Sequence, residues 1–476
     1  MSAALAPRAE PRSRPKVLVL FPYGWSIRNY LRTPFLDKLS EGCLVTAALR
    51  VCEEPLLAEF ASRSAQVVRL PPGDVGRGAH LMEVLMNLAH EHRRPQQVLR
   101  ERRARLLGAG PLSRRLGLSL LDGAGWLVSR TAFRAGDRLE SWLALRSLRG
   151  TDAQRLLDET RPDVVFSTAP SLPSDTAVAR LARARGTPTA AAVLSWDNLS
   201  SKTRMAVTFD RYFVWSEAMA RDLLAYYPAV DRRRIAITGT PQFDDHPAAE
   251  GLSREELCAA LGLDPARPIV AYTSSTARLL PGEEWIVQQL ADAIDAGRIP
   301  GAPQVLVRLH PYDEGARFSE LARRGVRVVR PWAFHAADPS WSNPSARDMQ
   351  IMRATLRHTA VNVNFFSTMT LDFARVDRPV VNLAIETPAS RAAGIDVAAF
   401  YRYQHYQPVL EERAMRLVHS IDQLCDAISL YLRDPSLDGA GRKRLVERLC
   451  GPGDGCAAER IAGELFDLAR ARAGRR

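Results

Sequence analysis

Short apolar, largely β-branched runs recur along this chain, and each is followed by a longer stretch in which apolar residues return every three to four positions. A strand buried on both faces reads as a continuous apolar run, whereas an amphipathic helix shows a 3.6-residue period. The alternation predicts parallel βα units. Strands are predicted at 16–21, 44–49, 66–70, 163–168, 188–195, 211–216 and 234–238, with helices such as 174–185 and 217–226 between them. Residues 239–247 are rich in turn formers and lack periodicity. A second series then begins, with strands at 268–274, 304–309, 326–330, 361–365 and 379–383 and helices at 253–261, 283–296, 314–323, 346–358 and 368–376. The chain closes on predicted helices at 421–432, 439–449 and 457–471.

The simplest architecture is α/β: two Rossmann-like doubly wound domains, 16–240 and 241–435, facing a cleft. A disordered tail is expected at 1–15, and the C-terminal helices of 436–476 are expected to pack back on the first domain. A helical region of about 78–150 interrupts the alternation between the third and fourth strands and reads as an insertion.

With 476 residues and roughly 100–200 residues per domain, both domains can bury their own cores, which excludes a single small binding module. No stretch approaches the roughly 18 apolar residues of a membrane span, and the run at 17–21 is too short for a signal-peptide core. Cys43, Cys52, Cys258, Cys425, Cys450 and Cys456 have neither CxxC spacing nor nearby histidines, so they read as small buried residues in a reducing cytoplasm. The formal net charge of +12 is concentrated: from Arg93 to Arg149 there are thirteen arginines against four acidic residues. That region also carries Trp126, Leu127, Phe133, Leu139, Trp142, Leu143, Leu145 and Leu148 in a helical pattern. It reads either as a solvated insertion with an ordinary buried face or as a docking surface for an anionic membrane or a lipid-phosphate-linked acceptor. Nucleic acid ranks third, because the aromatics are not interleaved with the basic residues.

Two segments carry the chemistry. In Val305-Leu306-Val307-Arg308-Leu309-His310-Pro311 and in Asn364-Phe365-Phe366-Ser367-Thr368, an apolar run ends abruptly in polar residues. Buried parallel strands deliver side chains to a crevice beyond their carboxyl ends in this way. Pro311 pushes His310 into an extended conformation, with Arg308 on the same face two residues earlier. Ser367-Thr368 opens a predicted helix whose first N–H groups suit a phosphate, although Ser and Thr also cap helices that bind nothing. A third loop offers the hydroxyls of Thr273, Ser274, Ser275 and Thr276 together with Arg278. The chain lacks GxxxxGK[ST], so it is not a P-loop NTPase, and no GxGxxG follows the first strand, which weakens a dinucleotide-oxidoreductase reading. Asp244, Asp245 and His246 look superficially like a metal cluster but read as an interdomain linker, and no metal is expected.

The loop at Tyr272-Thr273, then Arg308-Leu309-His310-Pro311, then Ser367-Thr368-Met369-Thr370-Leu371-Asp372-Phe373-Ala374, closing on Asp377-Arg378-Pro379-Val380, resembles the C-terminal half of CDP-glycerol glycerophosphotransferases. More widely it resembles GT-B glycosyltransferases, over about residues 235–390, with an echo in Trp196-Asp197-Asn198. The resemblance implies a donor domain that grips a nucleotide without a metal. His310, Ser367 and Thr368 would touch the donor phosphates and Asp372 would support the nucleotide or glycosyl side. Thr273, Ser274, Ser275, Arg278 and Arg308 complete the expected donor set. The first domain would supply acceptor contacts from Gly24, Arg28, Asn29, Trp196 and Asn198, with Asp197 as general base and His310 as the second catalytic candidate. One departure is that Phe365-Phe366 stands where the glycerophosphotransferases carry Asp-Tyr. The expected activity is a cofactor-free transfer of sugar from a nucleotide diphosphate sugar to a carbohydrate or lipid-linked acceptor in surface polysaccharide or glycolipid synthesis, by a cytoplasmic, membrane-associated protein. The rivals are a CDP-linked polyol-phosphate transferase, a nucleotide-sugar 2-epimerase and a non-catalytic scaffold of a polysaccharide-synthesis complex.

Overall fold

A computed structural model describes residues 14–474 apart from 52, 95, 109, 245–250 and 336–337. Most of the tail expected at 1–15, together with Cys52, Asp245 and His246, lies outside the described residues. Seven parallel strands form the first sheet: β1 (Lys16–Phe21), β2 (Leu44–Leu49), β3 (Gln66–Arg69), β4 (Val164–Ser167), β5 (Thr189–Ala192), β6 (Arg211–Val214) and β7 (Ile235–Ile237). Six form the second: β8 (Ile269–Thr273), β9 (Gln304–Arg308), β10 (Arg327–Val329), β11 (Val361–Asn364), β12 (Val380–Leu383) and β13 (Arg416–Val418). Every strand predicted from the apolar runs is present. The sequence reading missed β13, a three-residue strand at the sheet edge with only Val418 fully buried.

The continuous apolar character of β1 has a direct cause in this fold. Val17, Val19 and Phe21 enter the core on one face of the sheet, while Leu18 and Leu20 enter the core on the other. Helices cover both faces, so neither set of alternate side chains meets water.

The strand orders are β3-β2-β1-β4-β5-β6-β7 and β10-β9-β8-β11-β12-β13. In each sheet the chain winds outward from the first strand and then returns to build the other half. The loops leaving β1 and β4, and those leaving β8 and β11, therefore part at a switch point, and a crevice opens beyond the strand ends. In the first sheet the return from β3 to β4 runs through the basic region, as helices Arg77–Arg93, Gln97–Gly108, Leu112–Thr131 and Phe133–Ser147, followed by Asp152–Thr160.

Two segments tie the sheets together. Trp341, on the stretch that follows β10, is 0% exposed and sits in the core of the first sheet. Gly24 permits this approach, because a Cβ there would lie 2.0 Å from the Ser342 carbonyl oxygen. The final helix, Ala457–Ala473, buries Ile461 and Leu465 in the first sheet's core, and its Glu464 meets Arg211 at 2.7 Å. The first N–H groups of that helix, on Ala457 and Ala458, donate to the Asp244 carboxylate at 2.9 and 2.6 Å. Asp244 thus caps a helix.

Candidate functional site

A cavity of ≈ 340 Å³ lies at both switch points, between the two sheets. Its walls are Tyr23, Trp25, Arg28 and Asn29 after β1, Leu194, Ser195, Asp197, Asn198 and Lys202 after β5, Thr273 and Ser274 from β8 and its loop, Arg308 to Tyr312 from β9, and Ser367, Thr368 and Asp372 after β11. Its volume falls within the roughly 300–1,000 Å³ typical of small-molecule sites.

The second sheet aligns a row of polar residues under the cavity. Parallel register sets Arg308 beside Thr273, Thr273 beside Asn364 and Asn364 beside Asn382. A relay of side-chain hydrogen bonds runs beneath them: Tyr406 Oη–H donates to Asn382 Oδ1 at 2.9 Å, Asn382 Nδ2 to Asn364 Oδ1 at 2.9 Å, Asn364 Nδ2 to Asn362 Oδ1 at 2.7 Å and Asn362 Nδ2 to Thr273 Oγ1 at 3.2 Å. Such a network is stable only when its members are satisfied, and it then fixes the strand ends rigidly. Phe366 follows at φ 43°, a left-handed conformation costly for a bulky side chain. Its N–H donates to Tyr401 Oη at 3.2 Å and its ring lies 4.6 Å from that of Tyr406, so packing holds the kink that precedes Ser367 and Thr368. Ser367 Oγ accepts from Met369 N–H at 3.2 Å, while the Trp196 indole N–H donates to Thr368 Oγ1 at 3.4 Å across the domain boundary.

His310 is held as a neutral donor. Burial, countered in part by Asp313, pushes its pKa down to about 4. Nδ1 accepts the Tyr312 backbone N–H at 3.1 Å, so the ring proton resides on Nε2. The His310 backbone N–H donates to Ser274 Oγ at 2.9 Å, which joins the third loop to the strand end.

Positive charge is concentrated at the inner end. Arg308 is buried, and burial together with Arg28 pushes its pKa down to about 10. Asp372 stands between these cations, 3.6 Å from Arg28. Burial raises the Asp372 pKa against the opposing pull of Arg28, Arg375 and Arg308. Arg28 Nε, Asn29 Oδ1 and Arg308 Nη2 are buried without a hydrogen-bond partner. Buried polar atoms in native proteins are nearly always paired, so unpaired donors lining a cavity mark a place for a ligand's acceptors. Arg28, expected on the acceptor side, in fact reaches across to Asp372 of the second half. It sits in a π-helical turn, Ile27–Leu31, a local irregularity common at functional sites.

Several expectations need correction. Asp197 lines the cavity, yet Ser195 and Ser201 hydroxyls already donate to its two oxygens at 2.6 and 2.7 Å. Burial raises its pKa, but His405, Lys202 and those hydroxyls outweigh burial and leave it lowered. A carboxylate so stabilised is a poor general base. Arg278 is exposed and does not line the cavity. Ser275 faces away: its N–H donates to Glu283 at 3.1 Å and its carbonyl accepts from Arg317 at 2.7 Å, so it braces the loop. Gly24 and Trp196 stand behind the wall, the first against Ser342 and the second under Thr368. Thr273, Ser274, Arg308, His310, Ser367, Thr368, Asp372, Arg28, Asn29 and Asn198 all line the one cavity. The sequence reading missed Trp25, Lys202, Tyr312 and Trp332 in the wall and the asparagine relay beneath it. The alternation Val361-Asn362-Val363-Asn364, polar within a strand buried on both faces, was the available signal. Among the described residues, no three His, Cys, Asp or Glu side chains cluster as metal ligands.

No protein-family model matches the chain, and no curated protein matches its sequence. Solved structures match it over nearly its whole length. The UDP-GlcNAc 2-epimerase from Neisseria meningitidis aligns with 95% of this chain and 100% of its own, at TM-score 0.52 and 12% identity. The chain has the GT-B fold. The same GT-B architecture relates it to the wall teichoic acid polymerase TagF, at TM-score 0.51 and 10% identity over 96% of this chain and 89% of that one. It also relates it to the glycotransferase of kitacinnamycin, at TM-score 0.50 and 12% identity over 96% and 99%. The GT-B cleft between the two sheets is where the polar residues described above converge.

Proposed function

We propose that this protein is a nucleotide-diphosphate-dependent transferase, moving a sugar from a nucleotide diphosphate sugar to an acceptor hydroxyl in surface polysaccharide or glycolipid synthesis. The observation that carries this reading is the unpaired, buried guanidinium nitrogens of Arg28 and Arg308 in the same cavity as His310, Ser367 and Thr368. These groups match a diphosphate: two fixed cations, an imidazole Nε2–H and two hydroxyls. In the transfer, the bond from the anomeric carbon to the diphosphate breaks as the acceptor oxygen bonds to that carbon, and the acceptor's hydroxyl proton passes to the departing diphosphate or to water. Charge then develops on the departing diphosphate. Donors already aimed at that position stabilise it without reorganisation. Trp25, Trp332 and Tyr312 offer aromatic faces for the base or sugar, with the two tryptophan rings 5.7 Å apart. The GT-B structures crystallised with UDP-GlcNAc and with CDPG are consistent with a nucleotide donor.

A 2-epimerase needs room for one substrate only, and a second cavity of the first half adjoins this cleft across Tyr23, Leu194, Asn198 and Lys202. Space beside the donor site is what a two-substrate transfer requires. The expected setting is the cytoplasmic face of a membrane, with the arginine-rich insertion toward the lipid.

The test is a thermal-shift panel of UDP, GDP, TDP and CDP. A nucleotide at about 100 times its Kd should stabilise the native state by about 2.7 kcal/mol. His310→Ala and Arg308→Lys should each abolish most of that shift, since lysine cannot reproduce the guanidinium fork. If no nucleotide stabilises the protein, or if both variants respond as the parent does, the donor site is wrongly placed. Incubation with donor alone, followed by product analysis, separates transfer from epimerisation.

A further inference from the structure

The larger cavity of this protein lies outside the cleft. It measures ≈ 630 Å³, is open to solvent, and is lined by helices Arg77–Arg93 and Phe133–Ser147 of the insertion and by residues 204–208 and 226–230 of the first half. Seven of its lining residues are arginines, and Asp137 is the one acidic residue among them. On helix Phe133–Ser147 the positions Arg134, Arg138, Ser141 and Leu145 recur at helical spacing, so one face of that helix forms a wall.

Part of this positive charge is already neutralised. Arg180 and Arg204 share the buried Glu140, Arg204 also meets Asp137 at 2.7 Å, and Arg183 meets Asp210 at 3.1 Å. Arg94, Arg134 and Arg138 have no ion pair among the described residues. Tyr226 is 5% exposed and its hydroxyl has no partner, and the Nε atoms of Arg180 and Arg204 are also unpaired. Burial first, then Arg204, Arg94 and Arg93, push the pKa of His90 down to about 3. Phe133, Tyr212 and Tyr227 add aromatic surface.

A third cavity, ≈ 140 Å³, lies between this chamber and the cleft. It shares Met205 and Tyr227 with the arginine chamber, and Tyr23, Leu194, Asn198 and Lys202 with the cleft. The insertion also exposes a set of large apolar side chains, including Leu116, Leu120 at 77%, Trp126 and Trp142 at 54%. A cationic chamber, a small cavity between it and the cleft and an apolar exterior thus occur on one region of the molecule.

We propose that the arginine chamber binds the phosphate of a lipid-phosphate acceptor, whose reactive end reaches the cleft by way of the intervening cavity. The proposal deepens the transferase reading above and rests on it for the role of the ligand, though not for its binding. Unpaired guanidinium and phenol donors suit phosphate oxygens, and the apolar exterior suits the attached chain.

Isothermal titration of the full chain with dodecyl phosphate, below micelle formation, tests the chamber directly. The parent protein should bind dodecyl phosphate and bind dodecanol far more weakly. Arg134→Ala/Arg138→Ala, which removes two exposed side chains, should weaken binding at least about tenfold, and Tyr226→Phe should weaken it less. Unchanged affinity in the arginine double variant overturns the proposal. Inorganic pyrophosphate that binds as tightly as dodecyl phosphate and loses that affinity in the Arg134→Ala/Arg138→Ala variant overturns its lipid half, because the chamber, and not the diphosphate site of the cleft, would then serve a soluble phosphate. The nucleotide panel reads the cleft separately: dodecyl phosphate binding without any nucleotide response would sink the transferase reading and leave the chamber assignment standing.

Discussion

Denying water to single side chains moves their titration far from its ordinary range. The buried Asp175 carboxyl, just past β4, rises to about 7 through burial, although Ser167 Oγ–H and Ala169 N–H donate to it at 2.6 and 3.1 Å. Between the ordinary carboxyl pKa of about 3.9 and the folded value, the native state holds a proton that the unfolded chain has released. Its stabilising contribution is therefore present at low pH and is lost as pH rises through about 7. Asp175→Asn keeps one acceptor oxygen and removes the titration. Its Tm should fall less than the parent's between about pH 5 and 8, measured by calorimetry in matched buffers; an equal fall would show that Asp175 does not titrate there. His310 shifts the opposite way, to about 4, so its imidazole stays an uncharged donor at neutral pH. The residue types of this pair were readable in the sequence, but their protonation states were not, since burial and the Tyr312 N–H bond arise only on folding.

At the level of elements, the strand ends were legible wherever an apolar run met a polar loop. Val305 to Pro311 placed Arg308 and His310 correctly, and the break at Phe366 placed Ser367 and Thr368. Arg278 was misplaced because a loop's composition does not say which way it turns. Asp197 is weakened as a base because hydroxyls only two and four residues away, on Ser195 and Ser201, donate to its carboxylate and help lower its pKa. The asparagine relay escaped notice for a different reason: its members come from β11 and β12 and meet only through parallel register. Asn364→Ala should leave Asn382 Nδ2 and Asn362 Oδ1 without this partner and cost about 2–4 kcal/mol by urea denaturation. A cost below about 1 kcal/mol would mean the relay does not hold the strand ends.

Across the whole molecule, a positively charged insertion with exposed leucines and tryptophans projects from the first half of a GT-B fold. Among the described residues, no helix is long and apolar enough to cross a membrane. If the insertion rests on lipid, the protein should co-sediment with phosphatidylserine vesicles and much less with phosphatidylcholine ones. High salt should release it, because exposed charges are screened beyond a Debye length of about 10 Å at 0.1 M. Leu116→Ser/Leu120→Ser should also weaken the association; equal binding to neutral vesicles would overturn the electrostatic account. The sequence by itself determined the alternation of strands and helices, the two-sheet class and the polar strand ends, because burial on both faces imposes a local apolar pattern. Only the tertiary structure decided that Trp341 enters the opposite core, that Arg28 faces Asp372 and that arginines of the insertion and of the first sheet's helices line one chamber. Each of these joins residues far apart in the chain, and no local periodicity encodes such a meeting.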